Sequence, residues 1–491
     1  MRRRLPALHR AAAAGLTGLL LAAAPCLPVH ATELAPCWLQ GVAHPALCGS
    51  VSRALDPAQP QGTHFDLHFA VLPALARHKK PDPVFFIAGG PGQSAVALAG
   101  PISGMLARFG NRRDIVLVDQ RGTGRSAPLR CADDAAELPL ADSVDPVRQA
   151  QRARACLARL QALPYGDLRH FTTTLAAQDL DAVREALAAP RVNLVGASYG
   201  TRVALEYLRR FPTHVRRVVL DGVVPPDMAL PWASAADAQA TFDALLQACA
   251  GEAACRARYP RLPETWATLL ASLPRDVTVP NPATGRDETL RLTRDMLLGL
   301  VRAALYAPTT ASALPAALDA AAQGRFTPLL GLASALALPR GDAALAQGMH
   351  FSVVCSEDMP VAADRPAPAP DFGASLAALY VQVCETWPRG RVDESFRRVP
   401  PAPVPTLLLS GGIDPATPPR HGARVAQALG PQARHVVVPN AGHGLMALPC
   451  VRDLVFRFVD APDDAVALQL DTSCARDIPR PAAFVPPGAA P

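Results

Sequence analysis

Gly196-Ala197-Ser198-Tyr199-Gly200 constrains this chain more than any other segment. It has the form G-x-S-x-G. An apolar run, Arg191-Val192-Asn193-Leu194-Val195, precedes it, and a helix-like run from Thr201 to Phe211 follows. Strand, sharp turn and helix in that order lift a serine hydroxyl out of the backbone at the end of a sheet, where a base can reach it. Side chains two residues either side of so tight a turn would collide, which explains the glycines. The pentapeptide alone arises by chance in Gly/Ser-rich turns. Its place between strand and helix makes Ser198 a candidate nucleophile.

An acid and then a histidine follow in the chain, the order such a turn requires. Val404-Pro405-Thr406-Leu407-Leu408-Leu409-Ser410 reads as a buried strand, and Gly411-Gly412-Ile413-Asp414-Pro415 as the loop after it. An aspartate just past a strand end can hold a histidine in one tautomer and stabilise its imidazolium. His435-Val436-Val437-Val438-Pro439 reads as the next strand, followed by Asn440-Ala441-Gly442-His443-Gly444. His443 sits between two glycines, free to turn toward Ser198. A lone histidine is more often a surface or satisfied core residue; position, order and glycine flanks select the catalytic reading. Asp358 and Asp221 also follow apolar runs and are rival acids. Asp414 alone lies between the last two predicted strands.

Acyl transfer needs donors for the developing oxyanion. Val84-Phe85-Phe86-Ile87-Ala88 reads as a strand running into Gly89-Gly90-Pro91-Gly92. The Gly90 N–H is assigned as one donor and the Tyr199 N–H, directly after the nucleophile, as the other. Asp119-Gln120-Arg121-Gly122-Thr123-Gly124-Arg125-Ser126 follows the strand Ile115-Val116-Leu117-Val118. It has neither the G-x-x-x-x-G-K-[ST] spacing nor a lysine, and does not complete G-x-G-x-x-G. It is read as support for the oxyanion loop, with Asp119 and Arg121 as buried ion-pair partners.

These residues together carry a resemblance. Gly89-Gly90-Pro91-Gly92, Asp119-Gln120-Arg121-Gly122-x-Gly124-x-Ser126, Gly196-x-Ser198-Tyr199-Gly200, Asp414 and Gly442-His443-Gly444 look like the α/β-hydrolase peptidases of the proline iminopeptidase and secreted tripeptidyl aminopeptidase group. The resemblance spans roughly Pro81 to Asp460, with the middle weakly constrained. The family commonly has histidine before its glycine pair, where this chain has Ala88. The resemblance implies an exopeptidase whose cap region supplies acids for the substrate's α-ammonium. Phe351-Ser352-Val353-Val354-Cys355-Ser356-Glu357-Asp358 offers two acids after the cap, and Glu357 is the expected amine anchor. Two solvated acids at a strand end are the plain alternative.

The N-terminus reads as a leader. Arg2-Arg3-Arg4 precedes an apolar stretch from Ala11 to Leu27 and a small-residue site, Val29-His30-Ala31. Cleavage is expected after Ala31, giving an exported protein, periplasmic or extracellular. The apolar stretch is too short and badly flanked for a comfortable membrane span, so no stable anchor is expected. Pro25 argues against a lipid-modified Cys26. The leader holds four arginines and no acid, so its loss takes the formal charge from +6 to +2. A nearly neutral protein offers no electrostatic case for nucleic acid.

Ten of the eleven cysteines remain after the leader. An even count behind a leader reads as disulfides in an oxidising compartment. Connectivity does not follow from sequence, but neighbouring couples suggest Cys37–Cys48, Cys131–Cys156, Cys249–Cys255, Cys355–Cys384 and Cys450–Cys474. No C-x-x-C and no histidine cluster supports a metal site, and no cofactor is implied.

Strand signals fall in two blocks, Thr63 to Val224 and about Pro401 to Asp460. Apolar runs alternating with helical patterns imply an α/β fold with a mostly parallel twisted sheet flanked by helices. Between the blocks, Ala233 to Leu338 has helical spacing, for example over Ala236–Ala250, Asp295–Leu305 and Ala311–Ala322. It is read as a helical cap bracketed by Pro225-Pro226 and Pro366–Pro370. The expected division is leader 1–31, core 32–225, cap and return segment 226–395, core 396–478 and a Pro/Ala-rich, poorly ordered tail 479–491. The favoured function is a serine aminopeptidase acting on peptides and releasing proline or short peptides. A carboxylic ester hydrolase with the same triad is the alternative. A non-catalytic binding protein on a hydrolase scaffold is a third reading.

Overall fold

The computed structural model describes Met1 and residues 33–131, 138–335, 344–361, 370–373 and 375–486. The leader and most of Pro366–Pro370 lie outside the described residues.

The strands are β1 (Ala35–Cys37), β2 (Ala46–Ala54), β3 (His64–Leu72), β4 (Val84–Ile87), β5 (Ile115–Val118), β6 (Val192–Ala197), β7 (Val215–Asp221), β8 (Arg275–Pro280), β9 (Asp287–Leu292), β10 (Thr406–Gly411) and β11 (Ala433–Val438). Nine of them form one sheet in the order β1-β2-β3-β5-β4-β6-β7-β10-β11. The pairings from β5 through β11 are parallel. β1, β2 and β3 form an antiparallel edge. The sheet is thus mostly parallel, as the alternation of apolar runs and helices requires.

Side chains alternate between the two faces of the sheet, and each face has its own core. Phe85, Val116 and Leu194 pack on one side. Phe86, Leu117 and Val195 pack on the other. Both faces are buried, so these strands read as unbroken apolar runs and not as alternating ones. The chain goes from β4 to β5 on one side, then to β6 on the other. Such a reversal opens a crevice at the carboxyl ends of the strands, where ligands bind in open α/β sheets.

The segment between β7 and β10 builds a third core around Phe242, Trp266, Leu297, Val301 and Leu318. Its helices include Leu230–Gly251 and Arg294–Leu305. It also holds the antiparallel hairpin β8–β9, which helical spacing alone did not predict. The described part of the tail is pinned, not loose. The Phe484 N–H donates to the Ser312 carbonyl at 2.9 Å, and the Ala483 N–H donates to Glu252 at 3.1 Å.

All five disulfides join the expected neighbours: Cys37–Cys48, Cys131–Cys156, Cys249–Cys255, Cys355–Cys384 and Cys450–Cys474. Asp119 and Arg121 are both buried but do not pair with each other. Arg121 reaches Asp179, with Nε–Oδ2 at 2.7 Å and Nη2–Oδ1 at 2.9 Å. Asp119 instead accepts from the Ser94 hydroxyl at 2.5 Å and the Val96 N–H at 3.2 Å. Those contacts brace the loop after β4, so the supporting role holds while the pairing is corrected. No described helix is long and apolar enough to cross a membrane.

Candidate active site

Ser198 lies between the end of β6 and the helix Tyr199–Arg210, with φ 54° and ψ −123°. A residue with a Cβ adopts such angles only under constraint. The constraint is close backbone approach. A Cβ on Gly196 would sit 2.5 Å from the Gly200 carbonyl oxygen, and one on Gly200 would sit 2.1 Å from that of Ile87. The Ser198 N–H donates to the Asp221 carbonyl at 2.8 Å, fastening the turn to β7.

β4 runs beside β6 with Ile87 opposite Gly196. The glycine loop leaving β4 therefore passes in front of Ser198. Gly90 has φ 110°, a conformation open to glycine alone. Tyr199 is the first residue of its helix, so its N–H has no acceptor within the helix. Gly90, Ser198 and Tyr199 line one cavity of about 640 Å³.

β10 and β11 pair with Gly411 opposite Val438, which brings their following loops together. His443 Nδ1 lies 2.8 Å from Asp414 Oδ2. The Ala416 and Thr417 amides donate to Asp414 Oδ1 at 2.8 Å and 3.0 Å, and the Thr417 hydroxyl donates to Oδ2 at 2.6 Å. Burial opposes the Asp414 charge, but His443 and these donors outweigh it and hold the carboxyl at about 2. Burial likewise opposes a charged His443, and the Asp414 carboxylate outweighs that, raising the imidazole above its ordinary value of 6.5. A carboxylate on Nδ1 fixes the proton there and leaves Nε2 to accept one. Nε2 has no hydrogen bond among the described residues, and His443 lines the cavity that holds Ser198.

The rival acids have other work. Asp221 accepts from the Leu445 and Met446 amides at 3.0 Å and 2.9 Å, steadying the loop that follows His443. Asp358 pairs with Arg202 at 2.9 Å.

Glu357 lies outside the lining of the cavity that holds Ser198. Its segment is helical, Gln347–Val353 running into a π-helical turn at Val354–Asp358, not a strand end. The turn directs Glu357 inward, to 1% exposure. One oxygen accepts from the Thr173 N–H at 2.6 Å and the other from the Thr173 hydroxyl at 2.7 Å. Arg202 stands 3.5 Å away. The Tyr199 hydroxyl completes the cluster, 2.7 Å from Thr173 Oγ1. Burial pushes the Glu357 carboxyl up to about 7 against the pull of Arg202. Glu357 does not line the cavity. The carboxylate anchors the start of the helix Thr173–Ala186 beneath the serine turn, and this placement gives the amine-binding expectation no support.

The segment between β7 and β10 supplies Leu230, Ser234, Gly299, Arg302 and Tyr306 to the cavity wall. The Tyr306 ring meets that of His443 edge to face at 5.4 Å. An adjoining chamber of about 190 Å³ shares Leu230, Ser234, Gly299, Arg302 and Tyr380 with the cavity and adds Asp295. None of these wall residues carried a sequence signal, because nothing local distinguishes a lining residue on an amphipathic helix from a solvated one. Among the described residues, no group of three or more His, Cys, Asp or Glu could hold a metal ion.

A mostly parallel sheet with a strained serine at the end of a central strand defines an α/β-hydrolase. Residues 82–248 match the family model described as alpha/beta hydrolase fold, and residues 367–474 match that for TAP-like proteins. The serine protease Hip1 of Mycobacterium tuberculosis is 28% identical over 415 residues, spanning 78% of this chain and 79% of its own length. Carboxylesterase B of the same species is 30% identical over 418 residues, spanning 78% of each chain. The tripeptidyl aminopeptidase of Streptomyces lividans is 34% identical over 199 residues, 38% of this chain and 37% of that one. The chain belongs to the α/β-hydrolase serine peptidase family, and it is a serine hydrolase.

Proposed function

We propose that the protein is an exported aminopeptidase that cuts short peptides from the N-termini of peptide substrates through a Ser198-His443-Asp414 triad. The observation that carries this is the 2.8 Å contact from Asp414 Oδ2 to His443 Nδ1, with the imidazole lining the cavity of the strained Ser198. His443 Nε2 takes the Ser198 proton as Oγ attacks the scissile carbonyl. The Gly90 and Tyr199 amides receive the oxyanion, each contributing about 3 kcal/mol to the transition state. His443 passes its proton to the leaving amine, and water attacks the acyl-enzyme by the same path in reverse. The helical segment between β7 and β10 serves as a cap over the reaction. Export is supported by five disulfides, which persist in oxidising compartments.

A free α-ammonium needs a carboxylate at its end of the site. Asp295 is a better candidate than Glu357. It lines the adjoining chamber, has no hydrogen bond or ion pair with any described residue, and is pushed up by partial burial against the pull of Arg294. Peptide substrates fit the names of the Hip1 and tripeptidyl aminopeptidase relatives.

Ester hydrolysis is the second reading, favoured by the carboxylesterase relative that spans most of this chain. The test is a panel of free-amine tripeptidyl anilides, their N-acetylated forms and p-nitrophenyl esters, run beside fluorophosphonate labelling. The peptidase reading expects labelling at Ser198, a kcat loss of about 10⁴-fold or more in Ser198→Ala, and preference for the free-amine anilides. Turnover by Ser198→Ala excludes the triad. Activity confined to the esters selects the second reading.

A further inference from the structure

One imidazole in the cavity wall has no part in the proton transfers above. His350 lies on the helix Gln347–Val353 and lines the cavity with Ser198. Its Nδ1 is 3.2 Å from the Pro91 carbonyl oxygen, and its Nε2 is 3.1 Å from the Tyr380 hydroxyl. A carbonyl oxygen only accepts, so Nδ1 carries the proton. Nε2 is then bare and accepts from the Tyr380 O–H. Both ring nitrogens are satisfied by one neutral tautomer. Burial keeps it neutral by lowering its pKa, against the Pro91 bond.

Pro91 belongs to the loop that carries Gly90. Within that loop, the Gln93 N–H donates to the Gly89 carbonyl at 3.2 Å. The segment leading to His350 grips it from outside. The Ala346 N–H donates to the Gly92 carbonyl at 2.9 Å, one residue beyond the carbonyl that His350 holds. Two consecutive carbonyls are thus held by one short stretch of chain. A backbone with φ 110° at Gly90 has wide freedom if left alone. Holding the Pro91 carbonyl removes that freedom just after the amide that must face Ser198. Catalytic donors act through such preorganisation, because they are aimed before charge develops.

We infer that His350 is a positioning residue for the oxyanion donor at Gly90, with Tyr380 fixing its tautomer from the substrate side of the cavity. Tyr380 also lines the chamber that contains Asp295. One hydroxyl therefore links the far part of the binding site to the loop beside the nucleophile. The inference rests on the serine hydrolase reading with Gly90 as an oxyanion donor, and its effect is expected on kcat because such a donor acts as charge develops in the transition state.

The test uses His350→Leu, His350→Asn and Tyr380→Phe in the full protein. Asparagine keeps a donor near the position of Nδ1 and loses the bond to Tyr380; leucine loses both. Wild type is first shown to label with fluorophosphonate at Ser198, so failure of the triad reading is seen separately. His350→Leu is expected to lower kcat about 10- to 100-fold on peptide anilides, with KM within about 3-fold. The affinity of a peptidyl aldehyde, whose adduct bears the oxyanion, falls in parallel. His350→Asn recovers most of the loss, and Tyr380→Phe loses about 3- to 10-fold. Unchanged kcat in His350→Leu overturns the inference. So does a loss that Asn does not recover, or aldehyde affinity that stays at the wild-type level. If His350→Leu does not fold, Tyr380→Phe decides: a parallel fall in kcat and aldehyde affinity supports the inference, and wild-type values of both overturn it.

Discussion

The N–H of His443 donates to the Tyr306 carbonyl at 2.9 Å, tying the loop of the proposed catalytic imidazole to the end of the helix Arg294–Leu305. The contact is possible because Gly442 has no side chain. A Cβ there would sit 2.3 Å from the Tyr306 carbonyl oxygen and 3.1 Å from Pro308. The helical segment thus touches His443 and its loop through backbone as well as through the Tyr306 ring. Gly442→Ala is expected to push the loop off that helix and misplace the imidazole. Displacements near 1 Å cost about 100-fold in rate. The kcat of Gly442→Ala should fall by that order while KM moves less; wild-type kcat in this variant would show that the tie does not set the imidazole's position.

The acid–base pair predicts a pH profile with a definite sign. As the proposed general base, His443 has to be neutral to act, so activity should rise with pH through its pKa. The Asp414 carboxylate, after outweighing burial, places that pKa above 6.5. The acid limb of kcat/KM should therefore have its midpoint above 6.5, and no second limb should come from Asp414, which is held at about 2. Asp414→Asn removes the charge that raises the imidazole. Its residual activity should be lower by about 10⁴-fold, with the limb moved to lower pH. A limb that stays in place would mean that another group controls the histidine.

Glu357→Gln separates a structural carboxylate from a substrate anchor. Its bonds to Thr173 and its nearness to Arg202 place it in the support of the serine turn. Loss of the charge leaves Arg202 with Asp358 as its one described carboxylate partner. Stability is expected to drop by about 1–3 kcal/mol in urea unfolding, with the ratio of free-amine to N-acetylated turnover unchanged. A selective loss on free-amine substrates would restore Glu357 as the anchor.

Glu357 also shows where sequence reading stopped. The apolar run Phe351 to Cys355 fits a buried strand or a buried helix equally, since periodicity cannot separate them over so few residues. A helix ending in a π turn carries its acids inward, where a strand end would have left them in water. The positions of the serine turn, Asp414 and His443 just past strand ends were legible for the opposite reason. Each lies in a loop just past a strand, and parallel strands put such loops at one edge. The disulfides were legible because neighbouring cysteines happen to pair. Arg121–Asp179 was not, because the partner lies on a helix 58 residues away with no local mark. His350 was invisible as a lone histidine whose meaning comes entirely from Pro91 and Tyr380.

Asp295 gives the sharpest test of substrate choice. Asp295, Gly299 and Arg302 line the chamber from one helix, and the rise from Asp295 to Arg302 is about 10 Å along its axis. Three extended residues span about 10 Å. Gly299 leaves open space where a Cβ would stand, so the wall between the two charged residues is low. An ammonium near Arg302 meets a like charge; one beside Asp295 meets a carboxylate with no hydrogen bond or ion pair to a described residue. If Asp295 holds the amine as proposed, longer N-terminal pieces are expected to be preferred over single residues. Asp295→Asn should raise KM about 10-fold or more for free-amine tripeptidyl anilides, while N-acetylated peptides and p-nitrophenyl acetate change by less than about 2-fold. Gly299→Leu should block the tripeptides and spare the small ester. Equal losses across all these substrates in both variants would remove the chamber from the path of the substrate.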